Sequence, residues 1–485
     1  MKPVRMFRFL LLCCLLLLTD VTYLAGQTVQ QELLGRWSRP DLVGSSLYNN
    51  TYNEVWGFIW KGIPYAVIGS TQGTHLIDLE NPREPKPAFF IPGAARGTNI
   101  IHRDYKTYQH YLYAVCDEGL SSLQIIDFSG LPDTVQVVYD NSALLSRAHN
   151  IFIDTAEARM YALAYADGTR RFYPMAAFDI SEPVAPKLLA TYREFGGLKP
   201  SHIHDAYVRN HIAYLNAGYD GLVVADFTNP QAPQTLGLMQ RYTGAGYNHS
   251  GWASADGQYY YMGDETHGSP VKTIQLNFDC QPEVMTTFNA ESRAPSSIAH
   301  NQVVACGYLY VSYYYDGLQI FDLRDPLHPE RVGYYPTSRE PAGRSYKGAW
   351  GVYPLPEANL ILVSDMQEGL FVLKGMGDVC SREETSPIAC GAVTGIGQPP
   401  SIEWHIYPQP AFDHLLVEIP ETVQQQAFQL ILYNALGQKV TDFKAAPSET
   451  QLVLPLENNL LPGIYRLDIR TGSQILERKM ILIGR

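Results

Sequence analysis

Past residue 30 the chain has no long apolar segment with the 3.6-residue period of a helix, which excludes a helical bundle and leaves the mature chain without a transmembrane helix. It has no run of Lys or Arg long enough to make a basic patch, and 36 Lys plus Arg stand against 48 Asp plus Glu. The resulting charge of −12 makes nucleic acid and anionic membrane surfaces poor partners. Cysteine is sparse and never spaced as CxxC, so neither a zinc-ribbon nor a thioredoxin-like motif is present. Nor is there a GxSxG elbow, an HExxH helix or a GxxxxGK phosphate loop.

What is present is a repeated sentence of aromatic and β-branched residues. Residues 308–335, YLYVSYYYDGLQIFDLRDPLHPERVGYY, read as three short strands with a turn at Asp316-Gly317, an Asp at Asp322 and stops at Pro326 and Pro329. An Asp at a strand end hydrogen-bonds backbone two residues on, and Pro presets the turn while blocking the ladder. Copies stand at Leu76-Ile77-Asp78-Leu79, Ile125-Ile126-Asp127-Phe128, Ala177-Phe178-Asp179-Ile180 and Val224-Ala225-Asp226-Phe227. Worn copies at 274–277 and 370–373 bring the count to seven. All-strand units of this size predict a seven-bladed β-propeller, an all-β fold.

A second register supports that count. One bulky ring precedes each unit, namely Trp56, His102, His149, His204, His249, His300 and Trp350, at separations of 45 to 55 residues. First strands of propeller blades line the central channel, so these seven side chains are expected to ring it and to form the candidate binding site. LLGRW at 33–37 matches the outer strands of later units, whereas the last unit lacks one. The N-terminal strand is therefore expected to close the propeller.

Residues 1–26 read as a signal peptide: Lys2, Arg5 and Arg8, then an apolar run at 9–18, then Ala25-Gly26. A lipoprotein would need Cys13 or Cys14, which sit inside that run. The propeller spans 27–379. A Gly-, Ser-, Thr- and Pro-rich linker follows at 380–402, then a small β-sandwich at 403–485. Five cysteines remain after cleavage, and export permits disulfides. Cys380 and Cys390 bracket a polar loop and are the expected pair, Cys280 with Cys306 is a further possibility, and Cys116 in a strand pattern is expected as a buried thiol.

Tyr407-Pro408-Gln409-Pro410-Ala411, Tyr433-Asn434-Ala435-Leu436-Gly437, Leu461-Pro462-Gly463-Ile464-Tyr465 and the end Arg478-Lys479-Met480 resemble the C-terminal sorting domain of the type IX secretion system of Bacteroidetes. Gln409 stands where the family's first motif has Asn. The resemblance implies the type IX machinery as a partner and a secreted or cell-surface location. His102-Arg103-Asp104, Ala148-His149-Asn150, His202-Ile203-His204-Asp205, His249-Ser250-Gly251-Trp252, Gly263-Asp264-Glu265, Ala299-His300-Asn301 and Gly348-Ala349-Trp350-Gly351 resemble the LVIVD-repeat, choice-of-anchor B family of exported propellers. That family name describes attachment and assigns no reaction.

The ring admits two chemistries. Neutral imidazoles are ligands for zinc, copper or nickel, so a divalent metal could be held by His149, His204, His249 or His300, with Asp205, Asp264 or Glu265 as oxygen ligands or supports. Alternatively each His satisfies neighbouring backbone groups and packs the channel wall. The expected function is a non-catalytic binding module for a protein or glycan displayed on the cell surface. The alternatives are a metal-dependent hydrolase or lyase at the channel mouth, and a structural surface protein without a discrete ligand.

Overall fold

The computed structural model describes residues 28–377, apart from 277–279, 291–296 and 342, and most of 405–483. The leader, the linker and the expected Cys380–Cys390 pair lie outside the described residues. The chain divides into two compact units, residues 1–391 and 392–485. Among the described residues the only helical turn is the 3-10 segment Pro356–Ala358; every other element is a strand.

In the larger unit the described strands form seven sheets, six of four antiparallel strands and one in which a fifth strand joins four antiparallel ones. The first strands are Tyr52–Trp60, Arg103–Tyr108, Asn150–Asp154, Asp205–Arg209, Asn248–Ala253, Gln302–Ala305 and Ala349–Leu355. Each packs against the first strand of the next sheet, and the last packs against the first. The sheets are thus arranged like the blades of a propeller. Burial follows the same order: in the fourth sheet the second strand, Ile212–Asn216, is wholly buried, whereas the last, Gln234–Met239, is only partly covered.

The repeated Asp does what its position predicts. Oδ1 of Asp78, Asp127, Asp179, Asp226 and Asp322 accepts the N–H of Glu80, Ser129, Ser181, Thr228 and Arg324, at 2.7–2.9 Å. Just before it, the pairing between third and fourth strands slips by one residue, as between Ala177 and Phe178 or Val224 and Ala225. The sheet holding the worn copy slips at the same place, between Thr273 and Ile274. One extra residue there bends the outer strand and adds twist, so the bulge recurs even where the Asp does not. Cys116 is a buried free thiol, and Cys306 is disulfide-bonded.

The N-terminal segment makes two attachments. Leu33–Trp37 pairs antiparallel with Gly369–Lys374 as the outer strand of the seventh sheet. Arg36 binds Glu368 at 2.8 Å and lies over the Phe371 ring. Upstream, Val29–Gln30 adds a parallel fifth strand to the sixth sheet, which the sequence did not suggest. Trp37 is buried against Tyr52 and His75. Trp37→Ala should therefore cost about 3–5 kcal/mol in urea denaturation; an unchanged midpoint would show that this strand does not fasten the sheet.

The smaller unit has two sheets. His405–Tyr407, His414–Glu418 and Gln451–Pro455 form one; Lys439–Ala445, Phe428–Tyr433, Gly463–Thr471 and Gln474–Ile483 form the other. A single cluster including Leu415, Val417, Leu430, Leu454, Leu467 and Ile481 joins them.

Candidate functional site

The first strands bring six of the seven expected rings into a closed cycle. Centroid separations are 4.6 Å for His102–His149, 4.2 Å for His149–His204, 4.0 Å for His204–His249, 4.4 Å for His249–His300, 4.4 Å for His300–Trp350 and 5.2 Å for Trp350–His102. Trp56 is elsewhere. It stacks on Tyr353 at 4.2 Å, under Lys106, three residues further along its strand than Asn53. Three residues of strand are about 10 Å. Asn53, three residues earlier and equally within the repeat spacing, instead puts its amide on the Ile101 carbonyl beside His102.

Half of the cycle is a pinwheel of backbone hydrogen bonds. His204 Nδ1–H donates to the His249 carbonyl at 3.1 Å, His249 Nδ1–H to the His300 carbonyl at 3.1 Å, and His300 Nδ1–H to the Trp350 carbonyl at 2.6 Å. These bonds set the tautomer and leave each Nε2 with its lone pair. Burial, reinforced by neighbouring imidazoles, drives His204 and His249 well below the ordinary histidine range. Burial likewise takes His300 down to about 3. All three are uncharged at neutral pH.

The other half is bracketed by carboxylates. His149 Nδ1 meets Asp117 Oδ2 at 2.8 Å and His102 Nδ1 meets Glu118 Oε1 at 2.5 Å. Burial opposes charge on both His149 and Asp117, but their mutual hydrogen bond and attraction win. His149 is raised, and Asp117 is held down to about 2.

Two layers flank the cycle. At the loop end Asp117 and Glu265 each directly follow a second strand, Tyr111–Cys116 and Tyr259–Asp264. Glu265 lies 3.9 Å from His249 Nε2 and accepts the Tyr314 hydroxyl on its other oxygen; burial raises its carboxyl to about 7. Further along the first strands come Glu54, Asp104, Asn150, Asp205 and Asn301. Asn150 Nδ2 donates to Asp205 Oδ1 at 3.0 Å, Asn301 Nδ2 to Glu54, and Lys106 Nζ binds both Asp104 oxygens at 3.0 Å. Burial, with the Asp104 charge, raises Glu54 to about 8, and burial raises Asp205 to about 7. The cavity between this layer and the imidazoles is about 20 Å³, room for one water.

Of the candidate metal ligands, the structure brings His249, Glu265 and His300 together. Asp205 is instead an acceptor for Asn150, and Asp264 is an ion-pair partner of buried Lys272 at 2.9 Å. Sequence reasoning missed Asp117 and Glu118. The signal was available, since Asp117 directly follows a second strand as Glu265 does. Outside the cycle, half-buried aromatics gather: His202 Nε2 bonds the Tyr247 hydroxyl at 2.6 Å, Tyr219 meets Tyr247 edge-on, and Tyr346 touches Tyr48, His267 and Tyr314.

The molecule is thus an exported all-β protein with a sheet array around a histidine cycle and a separate C-terminal module. Residues 405–483 match the secretion system C-terminal sorting domain, so the protein leaves the cell by type IX secretion, to the cell surface or the extracellular space. No helix among the described residues is long and apolar enough to cross a membrane. No curated protein matches the chain. Among solved structures, it is similar to Sqt1 of Chaetomium thermophilum at 12% identity and a TM-score of 0.48, covering 69% of this chain and 100% of that one. It is also similar to PorZ, an essential surface component of the type IX secretion system of Porphyromonas gingivalis, at 9% identity and a TM-score of 0.45, covering 91% of this chain and 60% of that one. The designed protein Ika8 is similar at 10% identity and a TM-score of 0.43, covering 71% and 99%.

Proposed function

We propose that residues 27–379 form a seven-bladed β-propeller of the LVIVD-repeat, choice-of-anchor B type, closed by its N-terminal strand, and that it binds a glycan or protein at the loop-side mouth of its channel without catalysing a reaction. The cyclic packing of seven first strands and the pairing of Leu33–Trp37 with the last sheet support the closed propeller. The cavity between the imidazoles and the acid and amide layer takes only about one water, and we place the ligand on the loop side of the imidazoles, where the exposed aromatics stand.

The observation that carries the binding reading is the aromatic mouth. Tyr219 is 81% exposed, yet its ring rests on Tyr247, which is hydrogen-bonded to His202. A flat apolar face beside partly exposed carboxylates at Asp117 and Glu118 suits sugar rings and their hydroxyls, or a peptide carrying polar side chains. Screening the exported chain against glycan and peptide arrays should yield a ligand whose affinity falls about tenfold in Tyr219→Ala, roughly 1.4 kcal/mol. A ligand bound equally by wild type and variant would remove the mouth from the reading, and turnover of that ligand would replace binding by catalysis.

A further inference from the structure

The two halves of the imidazole cycle differ in what their ring nitrogens are committed to. His102 and His149 spend Nδ1 on carboxylates. His249 and His300 spend Nδ1 on backbone carbonyls, so Nε2 is an available electron pair on each ring. Glu265 approaches those rings with one oxygen, while the other is occupied by the Tyr314 hydroxyl.

We propose that His249, His300 and Glu265 bind one divalent transition-metal ion of the zinc class, with Tyr314 orienting the carboxylate. Their ligand atoms lie within 4.8 Å of one another. An ion with bonds of about 2.0–2.1 Å sets tetrahedral ligands about 3.4 Å apart, so side-chain movements on the order of 1 Å complete the set. Two imidazoles and one carboxylate are a recognised donor set for zinc and for non-haem iron, and the sequence supplies no thiolate here to select a softer ion. The outer contacts are those a metal centre needs. Each ligating imidazole donates its other N–H to a carbonyl, and the carboxylate is itself hydrogen-bonded. These contacts fix the rings before any ion arrives. Three protein ligands leave a fourth position for water or for an oxygen or nitrogen of a bound molecule. The other cluster, His102, Asp117 and His149, satisfies the same distance criterion. Both of its Nδ1 atoms are hydrogen-bonded to carboxylates, so an ion there would have to displace those bonds. The proposal is independent of which ligand occupies the mouth.

Cobalt(II) is the probe, because its visible absorption reports ligand number and geometry. The full chain, stripped with a chelator, should take up one equivalent of Co²⁺ that Zn²⁺ displaces. His249→Ala and His300→Ala should abolish that uptake, and Glu265→Gln should weaken it at least tenfold while keeping an acceptor for Tyr314. His102→Ala should leave it unchanged. Glu265→Gln is nearly isosteric, so it tests the site even where a histidine truncation prevents folding. No Co²⁺ uptake by wild type, full affinity in Glu265→Gln, or loss in His102→Ala as complete as in His249→Ala would each overturn the assignment.

Discussion

Lys272→Met should destabilise the larger unit by about 3–5 kcal/mol, because it leaves the fully buried Asp264 carboxylate without its counter-charge. Both side chains are fully buried, 2.9 Å apart. The ammonium is saturated: besides Asp264 it donates to the Ser269 hydroxyl at 3.1 Å and the Pro270 carbonyl at 2.9 Å. The carboxylate also accepts the Tyr242 hydroxyl and the Gly246 N–H, both at 2.8 Å. Those two bonds hold the loop that leads into the fifth first strand, and with it His249. Burial pulls the Lys272 ammonium down while Asp264 pulls it back up, which shows where the cost of an unpartnered charge would fall. The double variant Lys272→Met, Asp264→Asn should recover most of the loss, since the amide oxygen still accepts and no charge remains to be paired. Equilibrium urea unfolding of wild type, both single variants and the double closes the cycle. A double variant as weak as Lys272→Met would mean that packing around the methylenes, rather than the buried charge, sets the cost.

Asp264 also shows how far sequence can carry a site. The Asp-Glu pair was legible as chemistry, but one-dimensional spacing could not tell which carboxylate faces the imidazoles. In a strand, neighbouring side chains point to opposite faces. Asp264, the last residue of its strand, turns into the blade toward Lys272, while Glu265 turns to the cycle. Trp56 failed for a related reason. Its distance from His102 matches the repeat, but so does that of Asn53 in the same strand, and spacing alone could not choose between them; the indole falls in with Tyr353 and Lys106. The sheet pattern was read well because each signal was local and repeated. Asp at the third-strand end caps its own turn whatever the rest of the chain does. The attachment of Val29–Gln30 was not legible, since two residues carry no alternation.

The seven sheets carry one consequence further. Because each pinwheel bond runs from the imidazole of one sheet to the backbone of the next, the cycle couples neighbouring sheets directly. The acid and amide layer does the same through Asn150–Asp205 and Asn301–Glu54. Polar groups in the axis thus replace the apolar packing that joins blades further out, and their protonation states become part of the fold's stability.

Glu54→Gln should raise stability at alkaline pH and leave it nearly unchanged at pH 4. Burial first, and the Asp104 charge second, raise the Glu54 carboxyl from its ordinary 4.5 to about 8. Between those values the native state keeps a proton that the unfolded chain has released, so this group's contribution falls as pH rises and levels off above about 8. Glutamine has no proton to lose. Its advantage should therefore grow through that window to on the order of 2–4 kcal/mol, at about 1.4 kcal/mol per unit, discounted because neighbouring charges share the shift. Asn301 can turn its amide to accept from the new one, and the Val55 N–H, now bound to Oε1 at 3.0 Å, keeps an acceptor. Asp205, raised to about 7 by burial, pushes in the same direction. The depressed histidines push the other way, but only below their unfolded value of 6.5: there the unfolded chain takes up protons that His204, His249 and His300 refuse, and stability falls with falling pH. Above pH 7 they are silent. The histidines are common to both chains, so the difference between wild type and Glu54→Gln in urea unfolding at pH 5, 7 and 9 isolates the carboxyl, and an identical difference at pH 5 and pH 9 would show that Glu54 is ionised in the native state throughout.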